Sequence, residues 1–177
     1  MKRIPFEYAV LAISVGVTFA VATPARAQTS AVTDSKRIET SAEKLARGKY
    51  LVTVAGCNDC HTPWVMGPKG PEPDMSRMLS GHPENEKLPP PPAPQGPWLM
   101  AAAATNTAHS GPWGISYTAN LTPDAETGLG KWTQRNFTET IRTGRHMGRG
   151  RQILPPMPIP MYKHFTDADL DAIFSYL

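Results

Sequence analysis

Cys57-Asn58-Asp59-Cys60-His61 decides how this chain is read. Two thiols two residues apart, followed at once by a histidine, form the attachment signature of a covalently bound haem. Each cysteine can add to one vinyl group of a single porphyrin, and His61 then lies under the iron as its proximal imidazole. The other common uses of a cysteine pair do not fit. Structural zinc takes four ligands, usually with a second Cys or His pair, and these are the chain's only two cysteines. A thioredoxin-like redox pair expects a βαβ context, and a plain disulfide leaves His61 without a role.

Toward the N-terminus the chain reads as an export signal. Lys2 and Arg3 form a charged start, Tyr8 to Ala22 is an almost unbroken apolar run, and Ala25-Arg26-Ala27 is a small-x-small cleavage site. The run is short of the ~20 residues that span a bilayer, so residues 1–27 are expected to be a signal peptide that leaves no membrane span behind. The mature chain then starts at Gln28 in the periplasm, where covalent haem attachment is completed. The formal charge of +3 includes Lys2, Arg3, Arg26 and Glu7; without them it is +1, two haem propionates would make it slightly negative, and nucleic acid is not implied as a partner. A local cluster of Arg142, Arg145, Arg149 and Arg151 among glycines can steer an acidic partner or pair with haem propionates.

The mature part suits one domain, residues 40–177, after a flexible lead-in over 28–39. Thr40 and Glu43 make a capping box, and Leu45, Leu51, Val52 and Ala55 follow as a helical stripe that runs into the haem motif. Gly48 on this helix suits a close crossing by another helix. From Thr62 to Pro112 there are twelve prolines, including the Pro89-Pro90-Pro91-Pro92 run. Such a density of missing amide donors predicts a long loop without regular structure, polyproline II at the run, and at most one helical turn at Ala101 to Ala104. Trp64, Met66, Trp98, Met100 and Trp113 in this loop are expected against the porphyrin or the core. Thr133 reads as the cap of the next helix, with Phe137 and Ile141 on one face and Gly144 at its end. Thr166 and Asp169 cap the last helix, where Leu170, Ile173, Phe174 and Leu177 recur at helical spacing. That apolar face needs cover, and the Gly48 side of the first helix can provide it. The chain stops inside this pattern, which predicts that the native polypeptide continues past Leu177.

Between the last two helices, Leu154-Pro155-Pro156-Met157-Pro158-Ile159-Pro160-Met161-Tyr162 holds two methionines. Prolines on both sides of Met157 reduce the entropy lost in holding its thioether at the iron. A soft, neutral thioether favours Fe(II). Met157 is therefore the expected distal axial ligand, with Met161 as the alternative. His82, His109, His146 and His164 read as surface or hydrogen-bonding histidines. With both axial positions filled and no acid–base or nucleophile constellation, the chain reads as an electron carrier rather than an enzyme. A peroxidase-like haem enzyme and a redox or gas sensor with an exchangeable sixth ligand are the alternatives.

The order CNDCH, SYTANLTPDAETGLGKWT, IRTGRH, LPPMPIPMY and FTDADLDAIFSYL resembles class I c-type cytochromes. It is most similar to the haem domains in cytochrome subunits of periplasmic alcohol, gluconate and aldehyde dehydrogenases. The resemblance implies an all-α class I cytochrome c fold, with crossed N- and C-terminal helices around one haem c and its iron, and here a long proline-rich loop insertion. It places Gly48 and Tyr176 near the helix crossing and Met157 on the iron. It also places Trp132 near the propionates, and a proline carbonyl, of Pro63 or Pro68, on the Nδ1 proton of His61. The partners it implies are redox proteins: a dehydrogenase as donor and an oxidase or other cytochrome as acceptor, in a heteromeric complex or in transient encounters.

Overall fold

The computed structural model of the chain describes residues 39–93 and 96–177. The signal peptide expected over 1–27, and the lead-in as far as residue 38, lie outside them.

Helix α1 spans Ser41–Val54 and starts where the side chains dictate. The Glu43 amide donates to the Thr40 hydroxyl at 3.2 Å and the Thr40 amide to the Glu43 carboxylate at 2.9 Å, so two amides that the helix cannot pair are satisfied. Helix α2, Cys57–His61, follows after Gly56, whose φ of 69° turns the chain sharply between the two. Helix α3, Gln134–Thr143, repeats the box with Thr133 and Asn136 and ends on Gly144 at φ 67°. The short α4, Ile159–Tyr162, leads to α5, Asp167–Tyr176, which opens with the Thr166–Asp169 box.

Helices α1 and α5 pack against each other with no room between their backbones. A Cβ at Gly48 would run into the Ala172 carbonyl and lie 2.8 Å from Tyr176 Cβ. Around this crossing Val52, Leu170, Ala172 and Ile173 are buried, and Phe137 and Ile141 of α3 complete the core with Leu79 and Leu129. The Phe137 ring meets that of Phe174 at 5.5 Å. Polar ties frame the seam: Lys44 pairs with Asp171, and Arg47 Nε donates to Asp169 at 3.0 Å.

Asp169 therefore does two things, capping α5 and receiving Arg47 from α1. The Thr166 hydroxyl first, and then Arg47, hold its carboxyl below the ordinary 3.8, against the opposing effect of burial. A depressed folded-state pKa means stability that is complete above the ordinary value and is lost as pH falls through the folded one. Asp169→Ala is expected to cost about 2 kcal/mol at pH 7. Urea unfolding of both proteins checks this, and the gap between them should narrow below about pH 4.

The all-α architecture expected from the sequence is overturned. Among the described residues there are, besides five α-helices, two antiparallel sheets, both built largely from the proline-rich stretch. Strands β1 (Trp64–Gly67) and β2 (Gly70–Pro73) form a hairpin with Trp64 opposite Pro73. Strands β3 (Ala101–Ala102), β4 (Ala108–Gly111) and β5 (Gly114–Tyr117) form the second sheet, with His109 opposite both Ala102 and Ser116. Prolines exclude helix but tolerate a strand with a free edge, where a missing N–H is not needed by a neighbour. The Gly-Pro-Glu-Pro strand β2 is such a case. Ala101–Ala102 is likewise a strand and not the expected helical turn. The Pro89–Pro92 run carries no helix or strand.

The large apolar side chains of this stretch also depart from expectation. Met66 is 79% exposed and Trp98 75%, so neither packs on the core, and Met100 is exposed too. Trp64 is half-buried, and its indole donates to the Asp59 carbonyl at 2.9 Å. The stretch is nonetheless tied to α2, to the exit of β5 and to itself by hydrogen bonds from its amides. The Gly81 amide donates to the His61 carbonyl at 2.7 Å, the His82 amide to the Thr118 carbonyl at 3.0 Å, and the Leu79 amide to the buried Thr62 hydroxyl at 2.9 Å.

Candidate functional site

Helix α2, the exit of β5, α3, the segment before α4, and α5 enclose one cavity of about 550 Å³. Cys57, Cys60 and His61 form part of its wall, and Met157, Trp132 and Leu129 form other parts. Core side chains that seal the helices, among them Phe137, Ile141, Leu170 and Ile173, also face it. The volume and the mainly apolar lining are those of a site for a large flat organic group.

The cysteine pair sits on a single short helix, so both sulfurs lie on neighbouring turns beside His61. Both thiols are free and half-buried. Burial foremost pushes the Cys57 thiol up to about 11, and burial, then Asp59, raises Cys60. Reactive redox pairs have depressed thiol pKa values instead, so these environments are not those of a disulfide exchanger. Helix α2 is pinned from outside: the Asp59 carbonyl accepts from the Asn106 side chain at 2.7 Å as well as from Trp64.

His61 is oriented by one contact. Its Nδ1 lies 2.8 Å from the Ala119 carbonyl, which accepts the ring proton and leaves Nε2 with a free lone pair. The family resemblance points instead to Pro63 or Pro68 as acceptor, and both are ruled out by position. The Pro63 carbonyl accepts the Asp74 amide at 2.8 Å, and Pro68 lies in the turn between β1 and β2. Ala119 takes the role because the chain leaving β5 passes directly beside α2. Burial lowers the His61 pKa, which favours the neutral imidazole, the form able to ligate a metal.

The two methionines are separated by their surroundings. Met157 is half-buried and faces the cavity, whereas Met161 is 72% exposed and does not line it. Two side chains hold the methionine segment from opposite ends. Ser116 of β5 donates to the Pro155 carbonyl at 2.6 Å, and Tyr162 donates to the Ala55 carbonyl at the end of α1. Burial, first of all, pushes the Tyr162 hydroxyl up to about 12, so it remains a donor.

Trp132 lines the cavity and meets the His146 ring edge-on at 5.1 Å. Its approach is shaped by the turn Asn120-Leu121-Thr122-Pro123-Asp124. There the Asn120 carboxamide oxygen accepts the Thr122 amide at 2.9 Å and the Asp124 carboxylate accepts the Thr127 amide at 2.7 Å. Of the arginine cluster, Arg151 reaches the cavity, while Arg142 is engaged with Asp167 at 2.6 Å.

His109 is the residue that sequence reading misplaces. It is 2% exposed and lines the cavity, and neither ring nitrogen makes a well-formed hydrogen bond; burial lowers its pKa, against a smaller opposing pull from the Asn106 backbone. Its environment depends on the sheet, and nothing in its immediate neighbours announces burial.

No protein-family model matches the chain. It is 30% identical over 158 residues to a polypeptide of the nicotinate dehydrogenase of Pseudomonas putida, a match that covers 89% of this chain and 10% of that protein. The fructose dehydrogenase cytochrome subunit of Gluconobacter japonicus is 27% identical over 133 residues, 75% of this chain and 20% of its own length. The gluconate 2-dehydrogenase cytochrome c subunit of Pantoea cypripedii is 35% identical over 130 residues, 73% of this chain and 22% of its own length. The chain thus spans between a tenth and about a fifth of these relatives.

Proposed function

We propose that the chain belongs with the c-type cytochromes of dehydrogenase cytochrome subunits, to which it is similar, and that it is a one-electron carrier with a single covalent haem c. The observation that carries this reading is the convergence of Cys57, Cys60, His61 and Met157 on one cavity of about 550 Å³. The donor set fits the group chemically: two thiols at vinyl spacing, a neutral imidazole, and a thioether on another part of the wall. Unpartnered buried polar atoms at His109 and Thr118 fit it too, since a porphyrin brings carboxylates that need donors.

In this reading Cys57 and Cys60 would hold the haem covalently, His61 and Met157 would ligate its iron, and Trp132 would stand near its propionates. The iron, when bound, supplies the reversible one-electron change. The chain's own residues set the terms of that change. Ala119 fixes the His61 ring and raises its basicity as a ligand. Ser116 and Tyr162 hold the methionine segment, and the apolar wall would exclude water and so favour the less charged of the two oxidation states.

The carrier would work in the periplasm, exported by the leader over 1–27. It would take electrons from a dehydrogenase and pass them to an oxidase or another cytochrome, in a heteromeric complex or by encounter. Among the described residues no helix is long and apolar enough to cross a membrane.

The test is the full chain expressed with a haem-attachment system. The purified polypeptide should keep its haem through denaturation, give the near-infrared absorption of Fe(III)–Met ligation, and titrate as one electron. Loss of the haem on denaturation, or rapid CO binding to the reduced protein at neutral pH, overturns the reading.

A further inference from the structure

The face of the second sheet that looks into the cavity is unexpectedly polar. His109 and Ser116 are direct cross-strand partners and so point to the same face. Thr118 continues that face two residues on, its amide still on the ladder through the Thr107 carbonyl at 2.9 Å. His109, Ser116 and Thr118 all line the cavity. Ser116 is satisfied by Pro155 at 2.6 Å. The other two are not: both ring nitrogens of His109 and the hydroxyl of Thr118 are buried without a hydrogen-bond partner.

Buried polar groups are almost always paired, and leaving two adjacent donors unpaired in one wall is costly. Their partner is therefore a group that enters the cavity. An iron ion is a poor candidate, because a neutral threonine hydroxyl is not a haem ligand and His61 and Met157 already serve both axial positions. What two neighbouring donors on one sheet face suit is a carboxylate, which accepts through both oxygens.

We infer that His109 and Thr118 form the binding site for a propionate of the haem, with the imidazole N–H and the threonine hydroxyl as donors. This rests on the proposed haem function and extends it to residues that the ligand motifs do not include. It gives β4 and β5 a purpose in the site: β4 carries His109, β5 carries the Ser116 tie to the methionine segment, and the chain leaving β5 supplies Thr118 and the Ala119 carbonyl for His61.

The experiment uses the holoprotein with His109→Leu, His109→Gln and Thr118→Val, and reads the midpoint potential and the propionate bending band in resonance Raman. Removing a donor leaves more negative charge near the iron and favours Fe(III). His109→Leu should move the Fe(III)/Fe(II) ratio about three- to tenfold toward Fe(III), tenfold being about 59 mV for one electron, and should shift the propionate band. His109→Gln keeps a donor and should recover most of both. Thr118→Val should move both less, in the same sense, and keeps the idea testable if the leucine variant does not fold. Unchanged potential and propionate band in the His109→Leu and Thr118→Val proteins overturn the assignment while the covalent haem still stands. Loss of the near-infrared Fe(III)–Met absorption in His109→Leu overturns it differently, by showing that His109 acts on the methionine segment, through its neighbour Ser116 on Pro155, and not on a propionate. Failure of the unaltered chain to bind haem removes the functional reading itself.

Discussion

Met157→Ala is expected to abolish the near-infrared Fe(III)–thioether absorption and to lower the midpoint potential by roughly 0.1–0.3 V, a fraction of the ~0.8 V range that axial ligands command. The thioether is soft and uncharged, so it stabilises Fe(II) relative to Fe(III); water or a nitrogen ligand in its place reverses that preference. The variant should also gain rapid CO binding in the reduced state, since the sixth position is then open. Met161→Ala is the matching control. Its side chain is 72% exposed and outside the cavity wall, so spectrum and potential should stay those of the parent protein. The opposite pattern, with Met161→Ala losing the band, would transfer the ligand role to Met161. The fold itself should survive the Met157 substitution, because the segment is held by Ser116 on Pro155 and by Tyr162 on Ala55 rather than by the methionine.

Gly48→Val should destabilise the holoprotein by roughly 3 kcal/mol, at the upper end of what forced overpacking costs. The reason is backbone against backbone. The new Cβ would collide with the Ala172 carbonyl, which belongs to α5 and cannot rotate away as a side chain can, and with Tyr176 Cβ. Relief requires the two helices to separate, which uncovers Val52, Leu170 and Ile173, all nearly fully buried. Urea unfolding monitored by circular dichroism reads the effect. An alanine at the exposed Lys49, one position along, should change stability by less than about 0.5 kcal/mol. A Gly48→Val protein as stable as the parent would mean that α1 and α5 do not meet closely in solution.

The haem-attachment motif and the three capping boxes, Thr40 with Glu43, Thr133 with Asn136 and Thr166 with Asp169, lie on residues at most four apart. Thr40 is recognisable in the sequence as a box, and Thr133 and Thr166 as caps. Local spacing suffices for such features, because the partners are brought together by one helical turn. The strands are not legible for an opposite reason. In Gly70-Pro71-Glu72-Pro73 the composition argues against a sheet, and only the free edge of a two-stranded ribbon makes two prolines acceptable. Likewise Ala101–Ala102 has helical propensity, which pairing with Ser110 and His109 overrides.

The same division runs through the candidate site. The spacing of Cys57, Cys60 and His61, and the prolines around Met157, are set out by the sequence alone, since covalent reach and local stiffness are properties of a few consecutive residues. Tertiary structure decided the rest. It chose Ala119, 58 positions from His61, as the acceptor of the ring proton. It turned Met157 inward and left Met161 in water, and it buried His109 without a partner. Each of these depends on how β5 and the methionine segment return to α2, and a contact made by a distant return of the chain leaves no mark in the spacing of its neighbours.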